Sequence, residues 1–138
     1  MRPGTVTSVS RLVLPLLLLW LPASVTSVQA QDAAAGEKLF VKCKSCHQVG
    51  TTAKNTTGPA LNGLFGRPAG TVSGFAYSPA MKAAGFTWDD AAFAAFLNDP
   101  KAKVPGTKMM AGQTHDATQI ASLAAYIKTF AADGTKAP

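Results

Sequence analysis

Two cysteines and a histidine fall within one short stretch, Cys43-Lys44-Ser45-Cys46-His47, and no other part of the chain concentrates so much reactive chemistry. The pattern C-x-x-C-H is the haem-attachment motif. Its spacing has a physical reason: on helical geometry, positions i, i+3 and i+4 share one face. Two thiols can then reach the two vinyl groups of one porphyrin while the adjacent imidazole points at its iron. Competing chemistries use the same sulfurs. A redox dithiol of the thioredoxin kind sits beside a strand of a βαβ unit, and no such unit is visible. A structural zinc site wants about four ligands. The only other Cys or His is His115, distant along the chain and in a polar loop. A plain disulfide across the motif leaves His47 without a role.

A histidine on one face of a haem iron leaves a sixth position whose occupant decides the function. The segment Val104-Pro105-Gly106-Thr107-Lys108-Met109 offers Met109. A thioether is a soft ligand that favours ferrous iron and raises the potential, which suits an electron carrier. Methionines in loops are more often packing residues, and Met110 and Met81 are rivals for the position.

The elements that must position these groups read as helical. From Asp32 to Cys46, the positions Gly36, Leu39, Phe40 and Cys43 recur at spacings of three and four, one face of a helix. Residues 48–74 are dense in Thr, Gly, Pro and Asn and predict a long irregular segment with tight turns. A short helix is expected around Pro79 to Ala84. Thr87 followed by Asp90 resembles a capping box that opens a helix to Asn98. Pro100 and Pro105-Gly106 interrupt. The last helix takes Asp116 as N-cap with Gln119 three residues on, carries Ile120, Leu123, Ala124 and Ile127 on one stripe, and ends near Phe130. With no strand alternation of useful length and no internal repeat, the class is all-α: three to five helices joined by long loops.

Residues 33–130 resemble a class I c-type cytochrome, similar to mitochondrial cytochrome c and its bacterial periplasmic relatives. The resemblance rests on ordered motifs: CKSCH, the stretch TGPALNGLFGR from Thr57 to Arg67, GFAY at Gly74 to Tyr77, Thr87-Trp88, and PGTKM at Pro105 to Met109. It implies a cytochrome c fold around one covalent haem c, attached through Cys43 and Cys46, with His47 and Met109 as axial iron ligands. It further implies that Pro59 gives its carbonyl to the Nδ1 hydrogen of His47, a contact that orients the ring and makes it a better ligand. Arg67, Tyr77, Trp88 and Thr107 match positions that hydrogen-bond the haem propionates or waters beside them, although Tyr and Trp in a small domain are first of all core residues. Gly36 and Phe40 should meet Tyr126, with Gly permitting close helix approach. Two residues depart from the mitochondrial pattern: Phe96 replaces a Tyr and Met81 replaces an Asn, leaving the Met side of the haem less polar. After Met109, the run Met110-Ala111-Gly112 is one residue shorter than that pattern and lacks its aromatic.

The 138 residues leave room for one domain, and only 14% are charged. Domains of this size bury roughly two-thirds of their unfolded surface, so a bulky apolar cofactor would weigh heavily in stability. Residues 1–30 read as a cleaved signal peptide, with Arg2 and Arg11 at the basic start, an apolar run from Leu12 to Leu21, and Val28-Gln29-Ala30 as a small-residue cleavage site. The apolar block is about half the ~20 residues that a spanning helix needs, and it contains Pro15, so no stable membrane anchor is expected. A cytochrome c domain over 31–138 in the periplasm follows. Losing Arg2 and Arg11 takes the formal charge from +6 to +4. Its lysines form no basic run, which disfavours nucleic acid.

The expected function is a soluble, monomeric single-haem electron carrier without enzymatic activity. The resemblance implies redox partners with acidic docking surfaces: a cytochrome bc complex, a terminal oxidase, a reaction centre or a dehydrogenase. Lys42, Lys44, Lys101, Lys103 and Lys108 flank the two ligand segments and should gather at the haem edge, or simply keep the surface solvated. A haem peroxidase or a gas-sensing domain would instead need an open or labile sixth site, with His115 as the remaining candidate for distal work.

Overall fold

The computed structural model describes Met1, Gly4 and residues 28–110 and 116–137. Among the described residues there are five helices: α1 Val28–Phe40, α2 Pro79–Lys82, α3 Asp90–Asn98, α4 Pro100–Lys103 and α5 Ala117–Lys128. The described residues contain no strand, only two isolated bridges, Pro68 with Thr87 and Phe130 with Lys136. This is the all-α class that the sequence predicts. The expected leader falls almost wholly outside the described residues, as does His115.

The frame is the crossing of α1 on α5. Gly36 is buried at the contact, and a Cβ built there would overlap the Ser122 carbonyl and lie 2.7 Å from Tyr126 Cβ. Only a hydrogen at this position lets the two backbones approach so closely. One turn on, Phe40 packs on Tyr126 with ring centroids 5.4 Å apart, and Tyr126 packs on Phe130 at 5.2 Å. The predicted meeting of Gly36 and Phe40 with Tyr126 is therefore present.

Side-chain caps set the remaining helix ends. Asp116 accepts the Gln119 N–H at 2.8 Å and starts α5 where expected. For α3 the capping residue is Asp89, which accepts the Ala92 N–H at 2.7 Å, and not Thr87. Thr87 is held extended by its bridge to Pro68, so the chain first becomes free to turn after Trp88. Pro100 begins a helix as well as ending one: it occupies the first turn of α4, where its missing N–H costs nothing, and Asp99 accepts the Ala102 N–H at 3.0 Å. The helix α2 stops at Lys82, short of the expected Ala84, before Gly85 at φ +68°.

The first helix also ends early. It stops at Phe40, and residues 41–46 form successive turns instead of continuing it to Cys46. Helical hydrogen bonding survives at Phe40, whose carbonyl accepts the Lys44 N–H at 3.2 Å, and at Cys43, whose carbonyl accepts both the Cys46 N–H at 3.0 Å and the His47 N–H at 2.8 Å. That shared acceptor keeps the two thiols and the imidazole on one turn, as the motif requires.

A Gly36→Val variant should lose stability by at least the ~1–3 kcal/mol typical of overpacking, because the bulk meets backbone and not a movable side chain. Urea unfolding of the holoprotein checks this as a lower midpoint; an unchanged midpoint would mean that α1 and α5 do not depend on this contact.

Candidate haem site

One cavity of about 670 Å³ occupies the centre of the fold. Its wall brings together Cys43, Cys46, His47 and Met109 from segments far apart in sequence, and also Pro59, Arg67, Tyr77, Trp88 and Thr107. All nine residues proposed from sequence thus line one space. Its floor is apolar, built by Leu64 from the long loop before α2, Phe93 and Leu97 from α3, and Leu123 and Ile127 from α5. Met81 and Met110 also reach the wall; Met81 is buried, whereas Met110 is 81% exposed.

The imidazole of His47 is half-buried and paired at Nδ1 with the Pro59 carbonyl at 2.8 Å. A carbonyl only accepts, so the proton sits on Nδ1 and Nε2 keeps its lone pair for a metal. Burial pushes the His47 pKa down and outweighs the upward pull of the Pro59 bond, which favours the neutral ring that a ligand needs. Gly58 backs the ring: a Cβ there would come 2.7 Å from Nδ1 and 2.8 Å from Nε2. The loop carrying Pro59 is fastened to the motif, since Gly58 N–H and Thr56 Oγ1 both donate to the Cys46 carbonyl, at 2.8 and 2.7 Å.

Both cysteines are free thiols. Burial is the main cause that raises the Cys43 pKa, with the neighbouring Cys46 adding to it. Among the described residues no group of three His, Cys, Asp or Glu side chains is placed to hold a metal ion, so a structural zinc site finds no support there.

Also on the cavity wall, Arg67 donates from Nη1 to the Asn62 carbonyl at 2.7 Å, while its Nε is buried without a partner among the described residues. An unsatisfied guanidinium donor is costly, and a carboxylate is its natural complement. Burial lowers the Arg67 pKa, and the nearby Tyr77 counteracts this. The Tyr77 hydroxyl accepts a long bond, 3.4 Å, from the Val72 N–H. Trp88 is buried against Phe86 and Phe96, with centroids 4.9 and 5.3 Å away. Near Met109, the Thr107 hydroxyl accepts the Met109 N–H at 3.3 Å. Haem fits this set: two thiols, a neutral imidazole and a thioether on an apolar cavity, with an orphaned guanidinium donor on its wall. Asn62, which holds Arg67, escaped the sequence reading. A polar residue in a Gly-rich loop carries no periodic signal.

Of the five lysines expected at the haem edge, Lys42 and Lys108 are exposed at the rim of this cavity. Lys44 lines a different cavity, of about 590 Å³, with Lys136. Lys101 and Lys103 are exposed on α4, and Lys103 lies 4.6 Å over the Phe86 ring.

These features define a small all-α protein with a covalently anchored haem. The chain belongs to the cytochrome c family, whose model matches residues 33–131. It is 53% identical over 116 residues to cytochrome c2 of Blastochloris viridis, covering 84% of this chain and 91% of that one. It is 47% identical over 129 residues to cytochrome c-554 of Methylosinus trichosporium, covering 94% and 98%. Among solved structures, cytochrome cH from Methylobacterium extorquens superposes with a TM-score of 0.66 at 47% identity, covering 71% of this chain and 98% of that one. Cytochrome c2 from Rhodospirillum centenum gives 0.69 at 38% identity, covering 72% and 98%. The chain is a class I c-type cytochrome carrying one covalent haem c.

Cavity energetics set the first test of this site. At about 24 cal/mol per Å³, a dry void of this size would cost on the order of 16 kcal/mol, as much as a domain's whole stability of ~5–15 kcal/mol. Substituting both Cys43 and Cys46 by Ser should therefore give a product without a cooperative thermal transition by circular dichroism; a compact apo form that melts sharply would contradict this. Gly58→Ala should leave the covalent haem attached but displace the His47 ring, read as a changed low-spin ferric EPR spectrum.

Proposed function

We propose that this cytochrome is a mobile single-electron carrier in which His47 and Met109 ligate the two faces of the haem iron. When bound, the haem supplies a one-electron Fe(II)/Fe(III) couple. The observation that carries the ligand reading is the His47–Pro59 bond of 2.8 Å, which leaves Nε2 basic inside a cavity that Met109 also lines. Met109 is preferred over Met110 because it is half-buried where Met110 is largely exposed, and Thr107 steadies its backbone. With both ligands engaged, no coordination position is left for oxygen or peroxide, which is why a carrier is favoured over an enzyme. The described part of the cavity wall also contributes no Asp or Glu that could act as acid or base.

Arg67, Tyr77, Trp88 and Thr107 are assigned to the haem environment, Arg67 with the strongest physical case because its Nε has no partner among the described residues. Residues 1–30 are assigned to a cleaved leader and 31–138 to the mature domain, which places the carrier in the periplasm of a bacterium. No helix among the described residues is long and apolar enough to cross a membrane. Partners would carry acidic docking surfaces, as on a cytochrome bc complex, a terminal oxidase, a reaction centre or a dehydrogenase. Lys42 and Lys108 are the cations placed to meet them at the rim.

His47→Ala should abolish the low-spin haem spectrum. Met109→Ala should retain covalent haem but lose the Met-to-iron charge-transfer band and lower the midpoint potential. Met110→Ala should do neither; loss of the band in that variant would reassign the ligand. In stopped-flow transfer to an acidic acceptor, Lys42→Glu and Lys108→Glu should each slow the bimolecular rate, while Lys136→Glu leaves it nearly unchanged. The wild-type rate should fall between 0.01 and 0.1 M salt, where the Debye length shrinks from ~30 to ~10 Å. A rate indifferent to salt and to both substitutions would return these lysines to a solvating role.

A further inference from the structure

We infer that the C-terminal hairpin of residues 131–137 is a positioning element for the loop that orients His47, acting through Gly50 and Asn62. Most of this segment lies beyond the residues matched by the family model, which end at 131. It is nonetheless ordered by bonds of its own: Ala131 N–H to the Thr135 carbonyl at 2.9 Å, Gly134 N–H to the Ala131 carbonyl at 2.9 Å, and Ala137 N–H to the Thr129 carbonyl at 2.8 Å. Asp133 Oδ1 accepts the Thr135 N–H and hydroxyl at 2.9 and 2.7 Å. Lys136 lies over the rings of Tyr126 and Phe130, 5.6 and 5.8 Å from their centroids, which returns the hairpin to the end of α5.

The hairpin is seated backbone to backbone on the base of the loop from Gly50 to Gly63. Gly134 is buried at φ +83°, and a Cβ there would overlap the Gly50 carbonyl and lie 2.7 Å from Asn62 Nδ2. Likewise, a Cβ on Gly63 would lie 2.8 Å from Ala132 Cα. Asn62 closes the loop under this cover. Its Oδ1 accepts the Gly50 N–H at 2.8 Å, its Nδ2 donates to the Gly50 carbonyl at 2.9 Å, and its own carbonyl takes Arg67. Pro59 lies inside the closed loop. Opening the base would let its carbonyl drift from His47 Nδ1, and a weaker bond there makes the imidazole a poorer donor. Excluding water from the Asn62–Gly50 pair strengthens both of its hydrogen bonds, so a hairpin that makes no contact with His47 still governs the ring.

The inference rests on His47 being an iron ligand. It is tested on the holoprotein with a chain ending at Ala132 and, should that chain fold poorly, with Gly134→Ala. Lys101→Ala, exposed on α4 and in neither the hairpin nor the loop, is the control. In the first two, amide exchange at Gly58 and Leu61 should accelerate roughly tenfold while amides of α3 stay protected. The His47 Nδ1–H resonance should shift and the midpoint potential should rise, with the charge-transfer band retained. Asn62→Ala should reproduce these effects and add little when combined with Gly134→Ala. Unchanged exchange at Gly58 and Leu61, or acceleration spread equally over α3, would overturn the inference. Faster loop exchange with an unmoved ring resonance and potential would overturn its link to His47. Failure of the ligand reading shows separately, as a low-spin spectrum retained by His47→Ala.

Discussion

The structure depends on one constraint: short helices, α2 and α4 only four residues long, must surround a cavity of about 670 Å³. Leu64, Phe93, Leu97, Leu123 and Ile127 face that space, so the apolar stripes of α3 and α5 find their partner in whatever fills it as well as in each other. Burial at roughly 25 cal/mol per Å² then comes from cofactor contacts as much as from helix contacts. This explains why long loops are tolerated. Residues 48–78 need no core of their own if they close over a rigid group, and their Gly and Pro residues serve that wrapping.

Tethering that group places strict demands on a few backbone atoms. The Phe40 carbonyl accepts the Cys43 and Lys44 N–H groups, and the Cys46 carbonyl accepts the Gly58 N–H and the Thr56 hydroxyl, so the attachment motif is tied both to α1 and to the loop bearing Pro59. A shift of either cysteine would therefore be felt at His47. The crossing of α1 on α5 at Gly36 supplies the rigid platform beneath, since Phe40, the residue on which the turn begins, is also the one packed on Tyr126.

Much of this was legible in sequence, for identifiable reasons. The motif C-x-x-C-H dictates its own chemistry, and Ile120, Leu123, Ala124 and Ile127 announce the buried face of α5 by spacing. Caps read less well because several Asp and Thr residues compete: Thr87 and Asp89 both precede α3, and only the long-range bridge of Thr87 to Pro68 decides between them. The early end of α1 and the helical start at Pro100 likewise hinge on hydrogen bonds that composition does not encode. Lysine grouping was half legible. Lys42 and Lys44 are near neighbours in sequence, yet the turn between them sends them to different cavities.

The polar and apolar groups on the cavity wall bear on what the site would favour. Arg67 and Tyr77 interact with each other there, each with its pKa shifted by burial toward the neutral form, Arg67 down and Tyr77 up. Also on the wall, Phe96 is 4% exposed and Met81 7%, and neither brings a hydroxyl or an amide where the related mitochondrial pattern has Tyr and Asn. Oxidation adds a positive charge at the iron, and a surround that neither solvates nor neutralises that charge disfavours the oxidised form. With Met109 as the proposed ligand, Phe96 and Met81 would act in the same direction as its thioether, toward a higher potential. The Pro59 bond to His47 would act in the opposite direction, by enriching the imidazole. The midpoint would then follow from the balance between these two influences, the second depending on how firmly the loop from Gly50 to Gly63 is held.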